Sequence, residues 1–382
     1  MKIIYKHEKN FKKKEAIFIK ETIKNSFPEV SLIFKKNKIF SNRNSNVNQS
    51  KKIIKKIIEV NNFKKEKVIF SNNNSKKNFK KDPLLDLKKK REVLMLDKGL
   101  FIFQGNFLKI FRRLNIFFYN LAIKKYKAED QETPSLWPLD LFKKINYFDD
   151  FPQHVLMVGG LKKTHQDYRK FRKNYGKNKN FSNISLRKNF ENAKFGLQPA
   201  VCNNCYYALR NKKKFKNTIF TTYNKVFRDE YSSKNNLDRI TCFSVRDIMF
   251  LGSEKFVLNT RKKLINSLIV FLKKTNLNCS IEVANDPFFI SNIKKKIFQD
   301  AMDLKYEILA DIPFLKKKIA IGSINYHYNT FSKALSIQNG KKLIFSGCIG
   351  IGFERLVFAL YSQFGTNINN WPKTLKSLIK LR

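Results

Sequence analysis

Residues 346–356 read Ser346-Gly347-Cys348-Ile349-Gly350-Ile351-Gly352-Phe353-Glu354-Arg355-Leu356. Upstream, Lys342 to Ser346 has the composition of a strand, and downstream Phe353 to Phe364 repeats apolar residues at helical spacing. The pattern predicts a strand, a glycine-rich turn and a helix. Glycines 347, 350 and 352 would let a ligand approach the backbone closely, with Arg355 in the first helical turn beside it. The spacing matches neither the dinucleotide fingerprint nor the phosphate loop that ends in Gly-Lys-Ser/Thr. A glycine run with one Arg is a weak signal by itself.

Earlier in the chain, Phe227-Arg228-Asp229-Glu230 ends a strand-like run. A Ser/Asn-rich loop follows, and Ile240 to Ser244 begins a return strand leading to Arg246 and Asp247. Arg228 and Glu230, two residues apart in an extended chain, share a face. A guanidinium grips phosphate with two parallel bonds, and a carboxylate accepts from an exocyclic amine. Only 14 of the 78 basic residues are Arg, yet Arg228, Arg239 and Arg246 fall within nineteen positions. That density implies a need for the planar fork as well as for charge. The plain alternative is a surface hairpin with ion pairs of little worth.

Composition bounds the rest. The chain has 382 residues and a formal net charge of +48, with 42% hydrophobic and 14% aromatic residues. So much apolar content excludes a disordered polycation, and the length suits roughly two to three domains of about 100–200 residues. Lys, Asn, Ile and Phe share A/T-rich codons, so the Lys excess is weak support for nucleic-acid binding. No run approaches the ~20 apolar residues of a membrane span, and Met1 to Val30 has charges where a signal peptide would be apolar. The five cysteines, Cys202, Cys205, Cys242, Cys279 and Cys348, do not suit a secreted disulfide scaffold. A cytoplasmic location is expected.

Residues 1–90, rich in Lys and Asn, read as a partly disordered N-terminal extension, with a short amphipathic helix over Lys51 to Val60. Residues 91–382 read as one α+β domain. Helices are predicted at Phe107 to Lys125, Trp137 to Phe151, Lys255 to Leu277 and Ser291 to Met302. Strands are predicted at 154–158, Thr218 to Phe227, Ile240 to Ser244, Cys279 to Val283, Lys305 to Leu309 and Lys318 to Ser323. Few regular βαβ alternations occur, so an antiparallel sheet flanked by helices is expected.

The arginine hairpin and the glycine-rich segment together resemble the class II aminoacyl-tRNA synthetases. Further text resembles the amino acid:carrier protein ligases, which are similar to the catalytic domain of the zinc-dependent, archaeal-type seryl-tRNA synthetase. That text comprises Leu197-Gln198-Pro199-Ala200-Val201-Cys202, Arg246-Asp247-Ile248-Met249-Phe250-Leu251-Gly252, Asn285-Asp286-Pro287-Phe288-Phe289, Ser323-Ile324-Asn325-Tyr326-His327 and the run from Gly347 to Trp371-Pro372. The resemblance spans about Gly99 to Pro372. It implies ATP-dependent activation of a small amino acid, of glycine or alanine type, as an aminoacyl adenylate. Transfer to the phosphopantetheine thiol of a carrier protein would follow.

The resemblance also assigns residues. Arg228 and Arg355 would stabilise phosphate charge, Glu230 would read the adenine amine and Phe243 would stack on the ring. Ser323, Asn325 and His327 would lie near the amino acid. Cys202, Asp247 and Cys348 would hold Zn²⁺ with one position open for the substrate amine, although the family has Glu where this chain has Asp247. Mg²⁺ is expected on the phosphates, with Glu307 the nearest guess at a ligand. Cys205 reads as a neighbouring thiol, and Cys242 and Cys279 as small core residues. A homodimer through Trp137 to Val158 is implied. Two rival readings stay open: tRNA charging, which would need a tRNA-binding module, and a non-catalytic paralogue.

Overall fold

The fold is given by a computed structural model of the chain, which describes residues 2–6, 10–11, 16, 19–20, 31–41, 54, 68–73, 81–176, 188–229, 236–284 and 304–380. Its centre is an eight-stranded sheet. In chain order the strands are β1 (Val68–Asn72), β2 (Glu129–Asp130), β3 (Thr218–Phe227), β4 (Cys242–Gly252), β5 (Cys279–Val283), β6 (Lys305–Ile312), β7 (Lys317–Tyr328) and β8 (Phe345–Gly352). Across the sheet they run β1-β5-β6-β7-β8-β4-β3-β2. Every pairing is antiparallel except that of the two-residue β2 with β3. The expected α+β class, an antiparallel sheet flanked by helices, is the observed one.

Strand alternation sorts the side chains onto two faces. Ile248, Phe250, Ile349, Ile351, Ile324 and Ile308 point to a back face and join the main hydrophobic core. Three helices cover that face: α1 (Gly105–Asn120), α3 (Glu254–Thr275) and α4 (Phe353–Phe364). In α3, Val257, Leu264, Leu268, Phe271 and Leu272 recur at three- and four-residue steps and are buried, Ser253 caps the start, and Asn276 ends it in the left-handed region. The opposite, front face carries Asp247, Gly350 and Ser323 in one cross-strand row, and Met249, Cys348 and Asn325 in the next.

Three expectations change. The glycine segment is no turn: β8 continues as strand to Gly352, and the helix starts at Phe353. Its glycines are accommodated by neighbours within the sheet. A Cβ on Gly347 would lie 2.4 Å from the Phe250 ring, and one on Gly350 would lie 2.5 Å from Asp247 Oδ1. The stretch Trp137 to Phe151 is not one helix. It divides into short helices Leu139–Lys144 and Tyr147–Asp150, because Asn146 takes a left-handed conformation between them and Pro152 opens a 3-10 turn. The strand expected at 154–158 is reduced to Met157–Val158. The helix expected at Ser291 to Met302 lies outside the described residues, as do all but Ile54 of that at Lys51 to Val60.

The N-terminal stretch holds structure. Lys2–Lys6, Leu32–Lys35 and Lys38–Ser41 form a small antiparallel sheet. Ile4, Leu32 and Ile39 pack with Ile19 and Ile54 in a cluster of their own. β1 lies in the stretch read as an extension, yet it pairs with β5 at the edge of the main sheet. Helix Pro83–Lys89, capped by Asp82, contributes Leu84 and Leu87 to the main core.

Candidate active site

Two groups of side chains meet at the front of the sheet. The first lies where β3 and β4 approach α4. The Arg228 guanidinium sits 5.5 Å from the centroid of the Phe243 ring and that of Arg355 sits 5.8 Å from it. One aromatic ring thus lies within cation–π range of two permanently charged forks, a combination suited to a base and its phosphates. Arg228 Nε donates to the Pro199 carbonyl at 2.9 Å, and Arg355 Nη1 donates to the Ala320 carbonyl at 3.3 Å. Glu230 lies outside the described residues.

The Arg density that drew attention to this hairpin divides. Arg246 points to the back face, where Nε donates to Asn115 Oδ1 at 2.7 Å and Nη1 to Thr221 Oγ1 at 3.2 Å. Its guanidinium also lies 5.1 Å from the Tyr119 ring. Its fork is occupied in docking α1 to the sheet, so part of the Arg signal is structural.

The second group is Cys202, Asp247 and Cys348. All three are buried, and their candidate ligand atoms lie within 4.8 Å of one another. Cys202 begins the short helix α2 (Cys202–Ala208), Asp247 is central in β4 and Cys348 in β8. The Cys202 N–H donates to Asp247 Oδ2 at 3.1 Å, and Asn325 Nδ2 donates to Cys348 Sγ at 3.4 Å. Burial pushes the Asp247 carboxyl well above the usual range, and the nearby Cys348 adds to this. The thiol hydrogen bond from Cys202 holds Cys348 well below its ordinary range, with His327 and Asn325 assisting, and raises Cys202 correspondingly. Two thiols and one carboxylate this close together suit a tetrahedral Zn²⁺ with a position to spare. The shorter Asp is compatible with the site because Gly350 leaves room for its carboxylate beside β8.

Ser323, Asn325 and His327, expected near a substrate, do converge beside this cluster. Asn325 Nδ2 also donates to Ser323 Oγ at 3.2 Å, and His327 Nε2 lies 3.7 Å from Cys348 Sγ. Tyr206, which the sequence reading passed over, closes the group: its hydroxyl donates to the Gly347 carbonyl at 3.3 Å and lies 3.4 Å from His327 Nδ1. Its position four residues after Cys202 on one helix was the available clue. Cys205 is buried but outside the three-residue cluster, and burial pushes its thiol up to about 12. Glu307 shares the Ser323 row but forms an ion pair with Lys305 at 3.1 Å.

The chain has a class II aminoacyl-tRNA synthetase-like fold. Its resemblances divide between two activities. The type-2 serine–tRNA ligase of Methanocaldococcus jannaschii is 25% identical over 294 residues, 74% of this chain and 56% of the relative. The amino acid–[acyl-carrier-protein] ligase 1 of Bradyrhizobium diazoefficiens is 28% identical over 192 residues, 49% of this chain and 58% of the relative. The chain therefore spans little more than half the length of these curated relatives. Among solved structures, M. kandleri SerRS in complex with A. aeolicus tRNASec superposes with a TM-score of 0.74 at 16% identity, over 98% of this chain and 76% of that one. Seryl-tRNA synthetase from Pyrococcus horikoshii complexed with ATP gives 0.59 at 12% identity, over 88% and 78%. No family model matches.

Proposed function

We propose that the protein is an ATP-dependent ligase that activates a small amino acid, of glycine or alanine type, and passes it to the phosphopantetheine thiol of a carrier protein. The observation that supports this reading is the clustering of Arg228 and Arg355 around Phe243 of β4, the same strand that carries Asp247 of the buried group Cys202, Asp247 and Cys348. In the first step a carboxylate oxygen of the amino acid attacks the α-phosphorus of ATP, and the bond to pyrophosphate breaks. Arg228 and Arg355 stabilise the charge that develops on the phosphates and Glu230 reads the adenine amine; Mg²⁺, when bound with ATP, would supply further neutralisation of phosphate charge. Zn²⁺ at the two cysteines and Asp247 would hold the substrate amine. Ser323, Asn325 and His327 orient the amino acid beside it. In the second step the acceptor thiol attacks the mixed anhydride, forming a thioester and releasing AMP, so this chain need not supply a nucleophile.

A carrier-protein acceptor is supported by the ordered text from Leu197 to Pro372 and by the 28% identical relative. Helix His165–Tyr175 has no buried side chain and carries Arg169, Lys170, Arg172 and Lys173, a surface suited to an acidic partner. The second reading, tRNA charging, is favoured by the folded N-terminal cluster and by a structural match that extends over 98% of the chain. A cytoplasmic homodimer pairing through residues 137–158 accompanies either reading.

The deciding experiment is pyrophosphate exchange with ATP, Zn²⁺ and each of the twenty amino acids, followed by acceptor labelling. Exchange with glycine or alanine and labelling of a holo carrier protein is the expected result. Labelling of tRNA alone would move the assignment to the second reading, and no exchange at all would favour a non-catalytic paralogue.

A further inference from the structure

Glu354 has no part in the reaction as drawn, yet it is a fully buried carboxylate beside the nucleotide group. Its Oε2 accepts from the Ser244 backbone N–H at 2.8 Å, and its Oε1 accepts from the Ser244 hydroxyl at 2.8 Å and from Lys225 Nζ at 3.3 Å. Ser244 directly follows Phe243 in β4, Lys225 lies in β3 just ahead of Arg228, and Glu354 directly precedes Arg355 in α4. One side chain therefore joins the three elements that carry Arg228, Phe243 and Arg355.

An acid in the first turn of a helix is favourable against the helix dipole, but a solvent-facing one would serve that purpose without the cost of desolvation. Burial with two bonds to one residue of β4 instead fixes the angle and height at which α4 leaves the sheet. We propose that Glu354 is a positioning residue: it holds the Arg355 guanidinium at a set distance from Phe243 and Arg228, and so determines how tightly the site grips ATP. The inference rests on the reading of those three residues as the nucleotide site.

The test compares the full-length protein with Glu354→Gln, Ser244→Ala and Arg355→Ala. ATP affinity is measured by displacement of a fluorescent ATP analogue, alongside zinc content, melting temperature and the separate KM values for ATP and amino acid in pyrophosphate exchange. Positioning predicts that Glu354→Gln weakens ATP binding by about tenfold, and Ser244→Ala, which loses only the hydroxyl bond, by about threefold. Zinc content and the amino-acid KM should stay at the parent values. A lowered melting temperature with parent-like ATP affinity in Glu354→Gln would overturn the proposal in favour of a purely structural staple. If Glu354→Gln does not fold, Ser244→Ala decides on the same criterion. Parent-like ATP binding by Arg355→Ala would instead strike the nucleotide-site reading itself, which makes the two failures distinguishable.

Discussion

Arg228 Nε donates to the carbonyl oxygen of Pro199 at 2.9 Å, and the segment that begins there reaches Cys202, whose N–H donates to Asp247 at 3.1 Å. A side chain proposed to bind ATP thus tethers the segment proposed to hold the metal. Lys cannot reproduce both a fork to phosphate and a bond to Pro199. Arg228→Lys should therefore lower pyrophosphate exchange by roughly 10²-fold and raise the KM of both ATP and amino acid. Arg355→Lys, which bonds to β7 at Ala320, should raise the ATP KM alone. Identical KM patterns for the two variants would argue against the tether.

Gly350 should be intolerant of even one methyl group. A Cβ there would stand 2.5 Å from Asp247 Oδ1, in the middle of a paired strand where neither backbone can retreat. Gly350→Ala is expected to displace the carboxylate, cost about 1–3 kcal/mol of stability and remove bound zinc. Cys202→Ala and Cys348→Ala should remove zinc as well. Metal analysis of the purified variants checks all three, and a zinc-replete Gly350→Ala would show that Asp247 is not a ligand.

Thiol reactivity offers a test without activity. Burial pushes both Cys205 and Cys279 up to about 12, so at pH 8 only about one molecule in 10⁴ carries either thiolate. In zinc-loaded protein these two should resist iodoacetamide at pH 8, while the half-buried Cys242 reacts ahead of them. Peptide mass mapping after timed alkylation reads the order. Early modification of Cys205 would contradict its buried placement in α2.

Charge reversal on helix His165–Tyr175 separates activation from transfer. Replacing Arg169, Lys170, Arg172 and Lys173 with Glu touches no buried side chain of that helix. Pyrophosphate exchange should be unchanged, whereas carrier-protein labelling should slow by about tenfold or more at low salt, with the gap to the parent narrowing as added salt screens the charges. Unaltered labelling would place the acceptor on another surface.

Much of this was legible along the chain. Strand β3, strand β5 and helix α4 run over the residues that the sequence pattern indicated, β3 and β5 as strand-like apolar runs and α4 from its apolar spacing. The grouping of Cys202, Asp247 and Cys348 was implied by resemblance and by no local pattern: they lie far apart in the chain, and the antiparallel registers that set Asp247 opposite Gly350, and Cys348 opposite Asn325, bring two of them into adjacent rows. The glycines misled because a strand interior and a ligand-binding turn use glycine for the same reason, absence of Cβ, against different neighbours.

The sequence by itself determined the α+β class, the order of the main elements and the residue types that could hold a nucleotide and a metal, since these follow from local periodicity and side-chain chemistry. Tertiary structure alone decided which arginine faces the site and which docks a helix, that Glu354 is buried between three elements, and that a stretch rich in Lys and Asn supplies β1 to the main sheet. Those outcomes depend on which face of a strand meets which neighbour, a relation between segments distant in the chain.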